Sequence, residues 1–254
     1  MSTSRQTDNK IKTLGIIGGM GPLSTAELFY DIVRFTKADG DSAHLPILID
    51  NDPSVPDRTK AIVTGSNKPA EHISRNIQKL AAQGAEIFIV CCNTSHYFFN
   101  EIVDKTKADI INMTSVAAEF SAKKGLKRIC VLATTGTIQS SVYKNALEQF
   151  GIEAVNPSAF GQKQIMNVIY NDIKAGRATD EENFRRLLLS EKQLSGADAF
   201  LLGCTELSLA IKEMSPATSR LFRFIDPLVI NACHCVTACG KELTEEAENI
   251  LKVM

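Results

Sequence analysis

The stretch IFIVCCNT (residues 87–94) has the pattern of a buried strand that ends at two thiols and two small polar residues. A similar stretch, AFLLGCTE (residues 199–206), occurs later in the chain, and a Gly-Ala-acid turn leads into each of them. Both Cys92 and Cys204 are therefore predicted to lie just beyond the carboxyl end of a strand. Open α/β sheets bind their ligands at that end.

Other parts of the chain repeat at nearly the same spacing. LGIIGGMG (residues 14–21) resembles ICVLATTG (residues 129–136), since each reads as a strand followed by a Gly/Thr turn and a helix. Cysteine is a commonly buried residue and buried strands look alike, but the shared lead-in and position favour an internal repeat. The prediction is an α/β fold of two pseudosymmetric domains, each with a mainly parallel sheet, and an active site in the cleft between them.

The predicted first domain comprises residues 11–113 and a returning segment, 213–254, and the second comprises residues 114–212. A chain of 254 residues can bury a substantial core. Hydrophobic content of 44% and charged content of 22% are ordinary for a soluble globular protein.

The bulk composition also bears on partners and location. The formal net charge of −1 predicts binding neither to nucleic acid nor to an anionic membrane, and no apolar run approaches the length of a membrane span. Seven cysteines, an odd number in a chain of this length, suit a reducing cytosol rather than a disulfide scaffold. Residues 1–10 are polar, so a loose tail is expected instead of a signal peptide, and the protein is predicted to be cytoplasmic.

The glycine loop at residues 18–22 follows the first predicted strand. Such a loop can bring backbone N–H groups close to an anion, or it can be only a tight turn that requires positive φ, and both interpretations stay open. Its spacing is neither Gly-x-Gly-x-x-Gly nor a phosphate-binding loop. Ser24 or Thr25 is expected to cap a helix that runs to about Lys37, with apolar residues at Leu28, Phe29, Ile32, Val33 and Phe35.

Three charged or titratable residues near these loops each allow two interpretations. Arg58, in the loop after the second predicted strand, could bind a carboxylate, but the residues alone favour a solvated arginine paired with Asp57. Lys174 lies in the last turn of a helix predicted over 162–175, where a cation suits the helix dipole. His96 follows Cys92 by four residues and could either lower the pKa of that thiol or serve in packing.

The last segment of the chain contains a cysteine cluster. Residues 228–254 are predicted to be helical, and Cys233, Cys235 and Cys239 fall on that helix. Their spacing does not allow easy convergence with a fourth ligand. We therefore expect small buried side chains and no metal.

Two thiols on either side of one carbon can act as an acid–base pair. A cysteine pKa of about 8.5 falls when the residue lies at a helix N-terminus, and both cysteines are predicted at strand-to-helix junctions. If one is deprotonated and the other protonated, one face of the carbon can lose a proton while the other gains one. That is the requirement for stereoinversion by proton transfer.

At these residues the sequence resembles the cofactor-independent aspartate/glutamate racemase family, nearest its aspartate racemase branch. The resemblance rests on GIIGGMGP (15–22), CNTSH (92–96) and GCTEL (203–207), and it extends over most of the chain. The glutamate branch usually has Asp-Ser-Gly in the first loop, where this chain has Gly-Gly-Met. The resemblance implies two pseudosymmetric domains, a homodimer, an amino-acid substrate, and neither a metal nor pyridoxal phosphate as cofactor.

The resemblance also implies roles for individual residues. Cys92 and Cys204 would be the two bases, with Cys92 preferred to Cys91 because it directly precedes Asn-Thr. Arg58 and Lys174 would bind the side-chain carboxylate of an acidic substrate, although Lys163 lies near the second position. The remaining substrate-binding residues implied are Met20, Asn93, Thr94, Thr135 and Thr205.

Three other functions compete with an aspartate, or also glutamate, racemase. The first is a relative with another substrate or reaction, such as broad amino-acid or hydantoin racemisation, or decarboxylation through a single cysteine. Two intact cysteines favour racemisation, and Arg58 favours a substrate with an acidic side chain. The second is a hydrolase that uses Cys92 and His96, which leaves Cys204 without a purpose. The third is a non-catalytic amino-acid-binding protein built on the same cleft, which would leave the optical rotation of bound aspartate unchanged.

Overall fold

The computed structural model describes residues 10–254, which form two parallel sheets of four strands each. Of the predicted loose tail, residues 1–9 lie outside the described residues. No helix within residues 10–254 is long and apolar enough to cross a membrane. The strands are β1 (Leu14–Gly18), β2 (Ile47–Asn51), β3 (Ile87–Val90), β4 (Ile110–Ile111), β5 (Arg128–Leu132), β6 (Glu153–Val155), β7 (Ala199–Leu202) and β8 (Phe224–Ile225).

The α-helices alternate with these strands. Three short stretches form 3₁₀ turns, at Asp41–Ala43, Asn93–Phe98 and Ile173–Ala175, and Val168–Asp172 is π-helical. The α-helices are α1 (Pro22–Phe35), α2 (Arg58–Thr64), α3 (Lys68–Ala82), α4 (Phe99–Thr106), α5 (Met113–Lys123), α6 (Thr135–Gln139), α7 (Val142–Glu148), α8 (Ala159–Asn167), α9 (Glu181–Ser195), α10 (Thr205–Glu213), α11 (Pro216–Ser219), α12 (Pro227–Ala238) and α13 (Glu245–Val253).

The two sheets have the same topology. The strand order is β2-β1-β3-β4 in one and β6-β5-β7-β8 in the other, and all the pairings are parallel. Leu14 pairs with Ile87 in the first sheet, as Ile129 pairs with Ala199 in the second. The predicted fold of two similar α/β halves with parallel sheets is confirmed.

Each sheet is covered by helices on both faces, as all-parallel sheets require. Side chains alternate between faces along a strand, so Ile87 and Ile89 pack in a core with α1 and α12, whereas Phe88 and Val90 pack against α3. The second sheet has one core with α8 and α9 and another with α5 and α7. The near-continuous apolar strands of the sequence follow from this two-sided burial.

The predicted domain boundaries stay a prediction, and two contacts bear on the C-terminal segment. Strand β8 pairs with β7 in the second sheet, although residues 213–254 were assigned to the first domain. Helix α12 packs against the first sheet, since Leu228 and Val236 share a core with Leu14.

Helix α1 begins earlier than predicted. Its N-cap is Gly21 and Pro22 is its first residue, because proline is pre-organised for that position and needs no N–H partner. Thr25 fixes the preceding loop instead, where its hydroxyl accepts from the Gly19 N–H at 3.0 Å and donates to the Gly21 carbonyl at 2.9 Å. Of the apolar residues expected on this helix, Phe29 and Val33 are exposed.

Two long predicted helices are interrupted. Residues 162–175 comprise the end of α8, the π-helical turn and a 3₁₀ turn that stops at Gly176, which has a φ of 68°. The segment 228–254 divides into α12 and α13, because Gly240 has a φ of 89° and Leu243 forms an antiparallel bridge with Thr36. The prediction of small, buried cysteines is confirmed at Cys233, Cys235 and Cys239.

Gly19 gives the first prediction. Its φ is 89°, and a Cβ there would lie 2.3 Å from the carbonyl carbon of Asp52. Left-handed strain and overpacking together should cost Gly19→Ala about 2 to 5 kcal/mol in the free energy of unfolding, measured by urea denaturation. Gly65→Ala, with a φ of 67° and open space around the Cβ, should cost about 1 to 2 kcal/mol. Equal losses would contradict the close approach at Gly19.

Candidate active site

Both predicted cysteines lie at the carboxyl ends of interior strands. Cys92 follows β3 and precedes a 3₁₀ turn, and Cys204 follows β7 and is the N-cap of α10. The predicted strand-to-helix junctions are therefore present, although the first leads into a 3₁₀ turn before α4 begins. The two side chains share one cavity between the halves, which is lined by Met20, Asp57, Arg58, Thr59, Cys92, Asn93, Thr94, Thr134, Tyr170, Lys174, Cys204, Thr205 and Glu206.

Every predicted site residue except Thr135 lines this cavity. Thr134 occupies the wall instead, because it is the N-cap of α6 and its hydroxyl accepts from the Thr137 N–H at 3.2 Å. The Thr135 N–H is directed at the sulfur of Met166, 3.2 Å away. The roles of these residues toward a substrate remain predictions.

Three buried hydroxyls join the halves beside the cavity. Thr94, from the first half, lies 3.1 Å from the Thr134 hydroxyl and 2.9 Å from that of Thr137, and the last two are 3.1 Å apart. Each hydroxyl can both donate and accept, so the set can satisfy itself away from water. The position of Thr94 is thus fixed by the second half of the molecule.

Arg58 brings a buried positive charge to the first thiol. Its guanidinium donates to the carbonyls of Val55, Pro56 and Met20 at 3.0 to 3.2 Å. Burial lowers the pKa of Arg58, but Cys92, together with Asp57 and Glu206, raises it on balance. The favoured interpretation of a solvated arginine paired with Asp57 is wrong: Arg58 is 9% exposed, and Asp57 caps α2 instead.

Two buried donors in the cavity wall have no hydrogen-bond partner among residues 10–254. They are the Nε of Arg58 and the Nδ2 of Asn93, whose Oδ1 accepts from the Tyr143 hydroxyl. Buried polar groups normally have partners. Two open donors in one cavity wall therefore suit a ligand that carries acceptors, such as a carboxylate.

Glu206 carries the matching negative charge on the side of the second thiol. The thiol of Cys204 donates to Glu206 Oε2 at 2.9 Å, and the Thr205 hydroxyl donates to the same oxygen at 3.2 Å. Burial raises the pKa of Cys204 well above its ordinary value, and Glu206 raises it further against the opposing effect of Lys174.

Lys174 pairs with the other oxygen of this carboxylate. Its Nζ lies 2.7 Å from Glu206 Oε1. Burial lowers the pKa of Lys174, but Glu206 and Cys204 raise it on balance, so the ammonium form is favoured. Lys163, the alternative to Lys174, is exposed and lies outside this cavity.

Tyr170 closes the cavity from the second half. Its hydroxyl donates to Asp57 Oδ2 at 3.1 Å and lies 3.4 Å from the Thr59 hydroxyl of the first half. The cavity has a volume of about 10 Å³, close to the least that holds one water molecule.

Sequence reasoning did not name four residues of the wall as site residues, namely Asp57, Thr59, Tyr170 and Glu206. Thr134 belongs to the loop 134–137, whose donors the sequence suggests for binding the α-carboxylate, although the family resemblance implies Thr135. Glu206 lies within the motif GCTEL (203–207) and could have been found by its position after Cys-Thr. Tyr170 gives no signal in the sequence, since an aromatic residue inside a helical stretch is typical of packing.

His96 does not act on the thiol of Cys92. Its Nε2 accepts from the Met113 N–H at 3.0 Å, so Nδ1 carries the proton and donates to the Cys92 carbonyl at 3.0 Å. Burial lowers the pKa of His96 to about 4. Of the two interpretations, packing is the one the structure supports, and a hydrolytic Cys92/His96 pair loses its base.

Cys91 is directed away from the cavity. It is fully buried in the core between the first sheet and α12, and its thiol faces the Ser24 carbonyl at 3.5 Å. The choice of Cys92 over Cys91 agrees with this placement. Within residues 10–254 no group of three or more His, Cys, Asp or Glu side chains is arranged to hold a metal ion.

These features define a class: an α/β protein of two similar halves, with one thiol from each half in a shared cavity that is also lined by two cations and two carboxylates. Comparison with known proteins gives the family. The family model described as Asp/Glu/Hydantoin racemase matches residues 17–235. The chain belongs to this family, and the resemblance inferred from its motifs is confirmed.

Individual relatives differ in what they are named for. The chain is 24% identical over 211 residues to the broad specificity amino-acid racemase RacX of Bacillus subtilis, covering 78% of this chain and 87% of RacX. The structure of Picrophilus torridus aspartate racemase is similar at a TM-score of 0.79 and 28% identity, covering 96% of this chain and 100% of the other. Francisella tularensis glutamate racemase, at a TM-score of 0.64 and 16% identity over 96% of this chain and 83% of its own, shares the fold.

His96 gives a prediction on stability. Because its pKa is about 6.5 unfolded and about 4 folded, the unfolded chain binds more protons between these values, and stability falls as pH falls through this window. The loss from this group should reach about 3 kcal/mol. Urea denaturation at several pH values should show a shallower dependence for His96→Gln than for the parent. The same substitution at half-buried His72 is the control, and an equal change there would contradict the assignment.

Proposed function

We propose that this protein interconverts L- and D-aspartate by two-base proton transfer between Cys92 and Cys204, without pyridoxal phosphate or another cofactor. The single observation that carries the proposal is the shared cavity: it places one thiol from each pseudosymmetric half beside two cations that suit a dicarboxylic amino acid. Membership of the racemase family supports the same reaction type.

The reaction follows from the opposed thiols. The thiolate on one face removes the α-proton, the C–H electrons move into the α-carboxylate, and the thiol on the other face delivers its proton to the α-carbon. The product is the opposite enantiomer, and the two sulfurs have exchanged protonation states. The same site can then bind the product enantiomer and convert it back, so a pair of thiols on opposite faces serves both directions of the reaction.

Most of the barrier must be lowered by groups other than the bases. A turnover near 10 per second implies a barrier of about 16 kcal/mol, and a positioned base supplies only about 10²- to 10⁴-fold. Preorganised donors that face the developing negative charge supply more. The unpartnered Nδ2 of Asn93 in the cavity wall supports this role for Asn93, whereas the Thr205 hydroxyl already donates to Glu206.

Arg58 and Lys174 would bind the side-chain carboxylate. Arg58 is held by three backbone carbonyls and keeps its Nε open, so little reorganisation is needed when an anion arrives. Lys174 is already paired with Glu206. That pairing favours a second candidate, a racemase of broader specificity, because a lysine neutralised by the protein attracts a substrate carboxylate less.

A homodimer in the cytoplasm is part of the proposal, as the family resemblance implies. An exposed apolar stripe along α1 supports self-association, since large apolar side chains concentrated on one helix face are typical of interfaces. The stripe comprises Leu23, Phe29, Tyr30 and Val33.

The two cysteines give the central test. Cys92→Ser and Cys204→Ser should each reduce racemisation of aspartate by at least about 10²- to 10⁴-fold, because a serine hydroxyl is too weak an acid to replace a thiol. Proton NMR in D₂O should still show α-proton exchange of one enantiomer with each variant. Cys91→Ser, next to the site but in the core, should keep the activity. Wild-type racemisation by both single variants would refute the two-thiol mechanism.

Substrate class is tested at Lys174. Lys174→Met should lower kcat/KM for aspartate about 10- to 100-fold more than kcat/KM for alanine, because only aspartate loses a charged hydrogen bond to its side chain. The loss of the pairing with Glu206 is common to both substrates. Lys163→Met is the matched control and should change neither. Equal losses of kcat/KM for aspartate and alanine would show that Lys174 does not bind the substrate side chain. If the parent protein turns over alanine as fast as aspartate, the broad-specificity racemase is favoured.

A further inference from the structure

The two thiols of the cavity have opposite electrostatic neighbours, although the halves that carry them are similar. The side chain of Cys92 interacts electrostatically with the guanidinium of Arg58. The thiol of Cys204 instead donates a hydrogen bond to the carboxylate of Glu206, at 2.9 Å. The symmetry of the fold is therefore broken at the reacting atoms.

The Glu206 carboxylate is buried and paired with a cation. Its side chain is 4% exposed, and Lys174 lies 2.7 Å from its second oxygen. Glu206 also lies in the first turn of α10, where the helix dipole favours a negative charge. A carboxylate so placed accepts the thiol proton as a strong, charge-assisted hydrogen bond.

A thiolate and a carboxylate 2.9 Å apart, the distance between Cys204 Sγ and Glu206 Oε2, would repel each other strongly in this buried site. A thiolate at Cys204 would lie against the Glu206 carboxylate with little water to screen the pair, whereas a thiolate at Cys92 has a guanidinium beside it. The raised pKa of Cys204, which burial and then Glu206 cause, agrees with this asymmetry.

We propose that Glu206 is a positioning residue that keeps Cys204 protonated in the unliganded protein, so that Cys204 starts the reaction as the acid. The inference rests on the proposed two-thiol racemisation and adds which thiol starts as the acid. Cys92 is then the thiol that removes the α-proton first.

The consequence for turnover follows from the proton balance. Cys92 takes the α-proton, and Cys204 gives its proton to the opposite face of the α-carbon. This leaves a Cys204 thiolate beside Glu206. The site returns to its resting form when Cys204 takes a proton from solvent and Cys92 releases one, and the repulsion from Glu206 favours that return.

Thiol alkylation tests the inference without relying on racemisation. The full-length reduced protein, with no substrate, is treated with iodoacetamide over a range of pH, and peptide mass spectrometry follows the modification of each cysteine. The variants are Glu206→Gln, which removes the charge and keeps the shape, and Glu191→Gln. Glu191 is an equally buried carboxylate of the same half that binds Ser158 and does not line the cavity.

At neutral pH Cys92 of the parent should react faster than Cys204. In Glu206→Gln the pH midpoint for Cys204 modification should fall by about 1 to 3 units, and Glu191→Gln should leave it unchanged. If Glu206→Gln loses helix content by circular dichroism, Glu206→Asp, which keeps the charge farther away, should give a smaller shift in the same direction.

The inference is overturned if Glu206→Gln leaves the pH midpoint for Cys204 modification unchanged, or if Glu191→Gln shifts that midpoint equally. The outcome for the proposed function is separate. A parent that racemises aspartate with an unmoved midpoint refutes only the role of Glu206. A parent that racemises no amino acid but shows the shift supports that role and refutes the racemase.

Discussion

The candidate site depends on how charges are balanced inside one small cavity between the halves. Two cations, Arg58 and Lys174, and two carboxylates, the buried Glu206 and the exposed Asp57, line this space. Buried charges are stable only when they are paired and hydrogen-bonded. Glu206 pairs with Lys174 and accepts a hydrogen bond from the Cys204 thiol, and Arg58 interacts with Cys92 and Asp57. The proposed two-base reaction would use this arrangement with a proton on one of the two sulfurs.

The parallel sheets make this balance possible. Since the carboxyl ends of parallel strands lie at one edge, each half brings its thiol and its polar loops to the same side. The hydroxyls of Thr94, Thr134 and Thr137 form hydrogen bonds between the two sheet edges, and Tyr170 bonds to Asp57 at the rim of the cavity. Exclusion of water strengthens each electrostatic interaction inside, so closure and chemistry are linked through the same contacts.

A pseudosymmetric scaffold does not give equal bases. The repeat supplies equivalent positions for Cys92 and Cys204, but the side chains beside them differ in sign. Arg58 reaches the first thiol from α2, and Glu206 reaches the second from α10. In the proposed two-base racemisation, this difference would make one thiol the base and the other the acid before a substrate enters.

The sequence by itself determined the fold class and the family, and it indicated the positions of the two thiols. The apolar runs before Cys92 and Cys204 predicted buried strands, and both are interior strands of parallel sheets. The tertiary structure decided which neighbours complete the site. Thr134 replaces Thr135 because the direction of an N-cap side chain depends on local backbone angles, and the Lys174–Glu206 and Tyr170–Asp57 contacts join residues far apart in the chain. Pattern and spacing describe one element at a time, whereas burial, charge pairing and the protonation of a thiol depend on what the fold places against it.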